Sequence, residues 1–481
     1  MESRESVAAA WPRPVRLLRG LSQVRLLRSR QGAALLIAGV LVLGINLRGA
    51  ITGLPPIFPE LESALHLSAG TLSLLAAIPV LCFGVFSGAG APLSRRFGEE
   101  RVLGMAVLLL AAGLLLRGVS PAALLFPGTV IAGGAIALLN VLLPSLVKRR
   151  IPERAGLVIG LYLAMLSVGA IVASAAAVPV FNAAGGGEAS GSASVRIALG
   201  LWAAPAILAA ALWLPQLRFR TMPDGTGTAS PGAVAMAPVL PGDAVLPGDA
   251  VLPGDAVLPG EAVLPGDALL PGDAVQPGEA VAAVRPAGVL AMGRSALAWQ
   301  VTAFMGLQSL AYYATLSWFP TMLRERGVSA VHAGDLLALM NFGNAVTCLL
   351  IPVLAHRATD QRKLAIVAVA ATGAGIAGAV FGPAALAPAF IAVLGLGQGA
   401  TLGLAIFYTM ARAPDPVTAA SLSAFAQGVG YLLASAGPLT IGFLHNATGS
   451  WTLPGVVLLG VAVAELIAGW LAGRALTVPG A

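Results

Sequence analysis

Apolar residues run in blocks along most of this chain, separated by short polar breaks, and about 20 apolar residues are enough for a helix to cross a bilayer. The blocks fall near 33–54, 71–91, 102–119, 122–147, 156–179 and 197–215. A second set falls near 297–320, 333–355, 364–382, 385–411, 418–443 and 453–473. The pattern predicts an all-α membrane protein with twelve transmembrane helices in two six-helix bundles. The first bundle takes 33–215 and the second 297–473. A basic tail (1–32), a central linker (216–296) and a short C-terminal tail (474–481) complete the division.

Weak internal echoes support two related halves. Arg150-Ile151-Pro152 after span four is matched by Arg412-Ala413-Pro414 after span ten. Ser167-Val168-Gly169 in span five is matched by Gly428-Val429-Gly430 in span eleven. Parallel repeats of this kind place a substrate site between the halves, near mid-membrane. The linker is of low complexity: from Leu240 the hexapeptide Leu-Pro-Gly-Asp-Ala-Val recurs, ending at Gln276-Pro277-Gly278-Glu279-Ala280-Val281. Pro-Gly favours turns, and a proline in every copy blocks regular ladder bonding. The segment therefore reads as a disordered linker rather than a β-helix.

Composition fixes the class. Of 481 residues, 57% are hydrophobic and 10% are charged, against about 25% charged in soluble proteins. The net charge of +7 is not gathered on a polar domain, so no nucleic-acid partner is expected. The cations fall in alternate short loops, among them Arg95, Arg96, Arg101, Lys148, Arg149, Arg150, Arg357 and Arg362. The intervening loops hold Glu60 and Glu62, with Arg324 and Arg326 balanced by Glu325 and Asp335. By the positive-inside rule both termini are cytoplasmic. The basic N-terminal segment precedes an apolar run too long for a signal peptide and is read as a cytoplasmic tail. Cys82 and Cys348 lie in apolar runs and form no metal or redox motif. No cofactor and no metal are expected.

The chemistry begins at Arg48, inside the first span. A cation near the bilayer centre costs about 2.5–3.5 kcal/mol on insertion scales. Arg48 is read as the positive end of an anion site; the alternative is a side chain snorkelling to the interface near Pro55. Other polar groups point to the same cavity: Asn46 and Thr52 in span one, Asn140 in span four, and Gln308 with Tyr312 in span seven. Gln398 and Tyr408 lie in span ten, Gln427 with Tyr431 in span eleven. Gln308 and Tyr312 are four apart and share a helix face, as do Gln427 and Tyr431. Asn140 and Gln398 read equally well as polar glue between helices. Trp318 and Arg117 are expected at the membrane interfaces. Gly395, Gly397 and Gly399 mark close helix contact. Glu465 is the exceptional acid within a span, a candidate proton relay in a poorly suited helix. The four histidines lie at span ends or loops.

Several ordered pieces resemble the cyanate and 2-nitroimidazole transporter family within the major facilitator superfamily. They are Asn46-Leu47-Arg48, Pro79-Val80-Leu81-Cys82-Phe83-Gly84, Ala91-Pro92-Leu93 with Arg95-Arg96-Phe97-Gly98, and Asn140-Val141-Leu142-Leu143-Pro144. In the second half Gln308-Ser309-Leu310, Tyr312-Tyr313, Gln427-Gly428-Val429-Gly430-Tyr431 and Gly437-Pro438 continue the match. The resemblance covers both membrane halves but not 221–290. Gly49 stands where the family usually has proline. The superfamily's Asp-Arg pair and Gly-Arg after span two are replaced by Arg95-Arg96 and Gly98-Glu99. Any gating salt bridges must therefore use reversed charges, which makes Arg95, Arg96 and Glu99 the gating candidates.

The resemblance implies a secondary transporter rather than an enzyme, working by alternating access. Its implied site binds a small anion or nitro-heterocycle through Arg48, with neutral donors from Gln308, Tyr312, Gln427 and Tyr431; Asn46 and Asn140 complete the candidates. The expected partners are a small-molecule substrate and the lipid bilayer, with the chain monomeric in the plasma membrane. The rival reading is a regulatory or signalling membrane protein that docks partners through its acidic linker. No paired histidines, buried acid pair or His-Glu-x-x-His motif suggests a membrane enzyme.

Overall fold

The computed structural model describes residues 30–186, 191–214 and 289–479. The repeat-bearing linker and most of the basic tail lie outside these residues. Fifteen α-helices and no strands are present among them. In the first half they are α1 (Arg30–Thr52), α2 (Phe58–Leu65), α3 (Ala69–Phe86), α4 (Gly90–Phe97), α5 (Glu99–Val119), α6 (Pro121–Arg150), α7 (Ala155–Ala183), α8 (Gly191–Gly200) and α9 (Ala203–Trp213). The second half holds α10 (Ala296–Glu325), α11 (Ala330–His356), α12 (Arg362–Phe381), α13 (Ala387–Ala411), α14 (Pro416–Thr448) and α15 (Thr452–Ala472).

Among the described residues, eleven segments are long and apolar enough to cross a membrane. The twelfth crossing is α10, a 30-residue helix whose mean hydropathy is lowered by Gln300, Gln308, Ser309, Tyr312, Tyr313, Thr315 and Ser317. It tolerates these because most of its surface packs against protein rather than lipid. The molecule is thus an all-α membrane protein with twelve crossings.

Three elements depart from the sequence reading. The expected loop at 92–101 is largely the short helix α4, ended by Gly98 at φ +86°, a conformation in which glycine carries no Cβ penalty. The expected span at 197–215 is broken into α8 and α9. Pro205 supplies no backbone donor to the preceding turn, which separates the two pieces. The loop after span one folds into α2, which buries Phe58 and Leu61.

Both internal echoes occupy matching places. Arg150 pairs with Glu100 at the start of α5, and Arg412 bonds Gln361 just before α12. Gly169 of α7 meets Ile45 of α1, and Gly430 of α14 meets Gly306 of α10. The two halves meet along α3 with α14 and α7 with α11.

Gly399 shows how tightly the helices are set. A methyl group there would fall on the Asn344 carbonyl and the Thr347 hydroxyl of α11. Small residues allow this approach, and overpacking costs about 1–3 kcal/mol. Gly399→Leu is therefore expected to lower the thermal unfolding midpoint of the detergent-purified protein by several degrees. An unchanged midpoint would show that α11 and α13 are not in this register.

Candidate functional site

Two cavities meet at Arg48, in the seam between the halves. One takes in about 590 Å³ of empty space, part of it open to solvent, and is lined by Arg48, Phe83, Asn140, Tyr313, Gln427 and Tyr431 among apolar side chains. The other, about 510 Å³, is lined by Arg48, Ser167, Asn344 and Cys348 among others. Among the described residues, Arg48 is the single charged group in either lining. It extends from α1, half-buried, and donates to the Tyr312 hydroxyl at 3.0 Å. Its guanidinium also lies 5.6 Å from the centre of the Tyr312 ring, within cation–π range.

Tyr312 holds this arrangement by donating in turn to Asn341 Oδ1 at 2.9 Å. Asn341 donates to the Leu337 carbonyl and to Ser174 Oγ of α7, at 2.9 and 3.3 Å. The network therefore starts in the first half at α1, passes through α10 and α11, and returns to the first half at α7. The aromatic wall is set by edge contacts, with Phe83 5.6 Å from Tyr431 and Tyr312 5.1 Å from Tyr313.

The sequence candidates divide sharply here. Arg48, Asn140, Gln427 and Tyr431 line the first cavity, and Tyr312 touches Arg48 from behind. Asn140 accepts from the Tyr162 hydroxyl at 3.1 Å, and Gln427 donates to Ser423 Oγ at 2.8 Å. Asn46 does not face either cavity; its amide donates to the Trp202 carbonyl at 2.9 Å and it is fully buried. Two residues along a helix is about 200° of rotation, so Asn46 and Arg48 point apart. Gln308 also turns away, donating to the Met305 carbonyl and Ser309 Oγ inside the second bundle.

Further expectations are corrected. Trp318 does not face lipid. It is buried, donates to the Pro438 carbonyl at 2.8 Å and packs 5.8 Å from Phe58 across the seam. Arg117 does not turn outward either; it is buried and donates to the Ala50 carbonyl at 3.2 Å. Ala50 lies in the last turn of α1, where carbonyls lack intrahelical partners. Gln398 acts as glue, donating to Thr315 Oγ1 at 2.9 Å. Tyr408 lies away from the cavities, beside Arg412.

Asn341 and Asn344 escape the sequence reading, although two asparagines three apart in an apolar span are an available signal. Gly49 has a clear purpose: a side chain there would strike Trp202 at 2.7 Å.

Ion pairs mark both faces of the molecule. On the basic face, Glu99 pairs with Arg149 and Glu100 with Arg150, within the first half. Arg95 and Arg96 are exposed, and Arg96 lies over the Phe97 ring. Burial pulls the Arg412 guanidinium below its ordinary pKa. Asp415 caps α14, and its bonds from Thr418 and Val417 hold its carboxyl below the usual range. On the opposite face Arg324 of α10 bridges both oxygens of Glu60 on α2, each at 2.9 Å, and the Pro56 carbonyl at 3.2 Å. This pair joins the two halves.

Two packed halves, a seam chamber and one cation lining it define a membrane carrier. The chain matches the Major Facilitator Superfamily over residues 36–438, and it belongs to that family. It is 34% identical over 449 residues to the 2-nitroimidazole transporter of Escherichia coli (strain K12), covering 93% of this chain and 97% of that protein. It is 27% identical over 432 residues to the cyanate transport protein CynX of the same organism, covering 89% and 95%. An uncharacterized transporter of Bacillus subtilis (strain 168), YycB, is 32% identical over 440 residues, covering 91% and 93%. Among solved structures, the nucleoside transporter NupG superposes with a TM-score of 0.62 at 11% identity, covering 91% of this chain and 98% of that one. At that identity the likeness concerns the fold alone.

Proposed function

We propose that this membrane transporter carries a small anion or nitro-heterocycle by alternating access, with Arg48 as its electrostatic anchor. The observation that carries the reading is the charge pattern: among the described residues, Arg48 is the single charged group lining the seam cavities. A guanidinium in a largely apolar chamber favours a ligand with negative character. Asn140, Gln427, Tyr312 and Tyr431 supply neutral hydrogen bonds around it. Phe83, Tyr313 and Tyr431 offer flat apolar surface for a planar group. The names of the 2-nitroimidazole and cyanate relatives point to the same two ligand chemistries.

In this reading the bundles rock about Arg48, and the Arg324–Glu60 pair closes the face that carries α2. Arg95, Arg96 and the Glu99–Arg149 pair serve the basic face, which lies in the cytoplasm with both termini. The carrier acts as a monomer in the plasma membrane. Purified protein in liposomes tests the proposal. Saturable exchange of radiolabelled cyanate or 2-nitroimidazole for unlabelled internal ligand is expected. Its absence with both ligands would overturn the substrate reading.

A further inference from the structure

Asn344 lies in α11, one turn beyond Asn341, and is 6% exposed. Residues three apart share a helix face, yet the two amides are used differently. Asn341 donates to the Leu337 carbonyl and to Ser174 Oγ, and it accepts from Tyr312. Asn344 Nδ2 has no hydrogen-bond partner among the described residues. A buried donor left unpaired is costly, and native interiors seldom keep one without a use. Of the buried side-chain atoms in this condition among the described residues, it is the single one whose side chain lines a seam cavity.

The helix is held with this amide at the cavity. The Asn344 carbonyl is pressed against Gly399 of α13, and Thr347, three residues on, donates to the Leu396 carbonyl of α13 at 2.7 Å. Arg48 is close by through its own bonds. It donates to Tyr312, and Tyr312 donates to Asn341, so Asn344 stands one turn from the group that anchors the Arg48–Tyr312 bond.

The two seam cavities differ in kind. The first carries the aromatic wall of Phe83, Tyr313 and Tyr431. The second, among the described residues, is lined by no aromatic ring. Its polar groups are Arg48, Ser167, Asn344 and Cys348. The Ser167 hydroxyl donates to the Leu163 carbonyl at 3.3 Å, so its hydrogen is already committed. The strong donors left for a ligand are Arg48 from the first half and Asn344 from the second; the Cys348 thiol is a weak one. Arg48 lines both cavities, so a ligand held at its guanidinium can extend into each.

From this placement we infer that Asn344 is a second ligand-binding residue and that the second cavity seats the acceptor end of a two-part ligand. One oxygen of a nitro or carboxylate group meets Arg48 and the other accepts from Asn344 Nδ2. The ring that carries the group lies against the aromatic wall of the first cavity. This assignment rests on the transport reading above and narrows it. The ligand class is a flat ring bearing a two-oxygen group, neutral or singly charged. A second negative charge would meet no second cation in either lining. Because Arg48 and Asn344 belong to opposite halves, the same two oxygens join the halves through the ligand.

The test uses the full chain in liposomes and Cys348, one turn from Asn344 and in the same lining, as the reporter. In a Cys82→Ser background, 2-nitroimidazole is expected to slow alkylation of Cys348 by N-ethylmaleimide, with half of the effect at the concentration that half-saturates its exchange. Imidazole, which keeps the ring and lacks the nitro group, is expected not to protect. Asn344→Leu, of similar size and without a donor, is expected to raise the half-saturating concentration about three- to tenfold. It should not lower the thermal unfolding midpoint, since the amide it removes has no partner to lose; a purely structural asparagine would lower it. Asn344→Asp, of the same shape, accepts only and adds a negative charge, so it is expected to weaken 2-nitroimidazole more than Asn344→Leu does. Protection by imidazole equal to that by 2-nitroimidazole would overturn the inference. So would an unshifted half-saturating concentration in a folded Asn344→Leu or Asn344→Asp. Exchange of either 2-nitroimidazole or cyanate without protection of Cys348 by 2-nitroimidazole would overturn it too, and would leave the transport reading standing. Absence of exchange with both ligands would instead remove the transport reading, and this inference with it.

Discussion

Arg48→Ala is expected to reduce cyanate or 2-nitroimidazole exchange by about ten- to hundredfold, since a bond to a charged group is worth about 1.5–3 kcal/mol and 1.4 kcal/mol is tenfold. The variant should still fold. Removing the cation relieves an insertion cost of about 2.5–3.5 kcal/mol, and Tyr312 keeps its bond to Asn341. Arg48→Lys should retain a fraction of the activity. A lysine carries the charge but lacks the planar fork that serves Tyr312 and a ligand together. Exchange rates measured at matched protein content, with elution profiles as the folding control, check both. Full exchange by Arg48→Ala would mean that ligand does not meet this guanidinium.

Arg324→Ala is expected to open the face that carries α2. Arg324 meets both oxygens of Glu60 and the Pro56 carbonyl, a geometry stronger than a solvated surface pair. Its loss is worth about 1.5–3 kcal/mol, or about ten- to hundredfold in the balance between closed and open forms. Cys348 lines the cavity beside Arg48 and provides the readout. In a Cys82→Ser background, an impermeant maleimide added on the α2 side should label Cys348 at least about tenfold faster in Arg324→Ala. Glu60→Arg combined with Arg324→Glu should restore slow labelling. If the single variant labels at the parent rate, the pair is not what closes that face.

The sequence makes the anchor legible because one charge in an apolar run has few explanations. It makes the spans legible because length and hydropathy are local properties. Side-chain direction is less accessible. Gln427 and Tyr431, four apart, both line the chamber, yet Gln308, four before Tyr312, turns to its own helix. Spacing tells which residues share a face but not which face meets the seam. The Arg324–Glu60 pair joins residues 264 positions apart, and each reads alone as an ordinary loop charge. Trp318 and Arg117 mislead for a related reason. Both lie near span ends, and only the contact of Phe58 with Trp318, or of Arg117 with the Ala50 carbonyl, shows that those ends are covered. Glu465 stands out as an acid in a span, but its complete burial inside the second half depends on the fold.

The most direct measurement is a crystal structure of the protein grown with selenocyanate, whose selenium is located by anomalous scattering. That peak is expected in the seam chamber, within hydrogen-bonding reach of the guanidinium at position 48 and bordered by Tyr431 and Gln427. A selenium peak elsewhere, with that side chain directed into lipid headgroups, would contradict it.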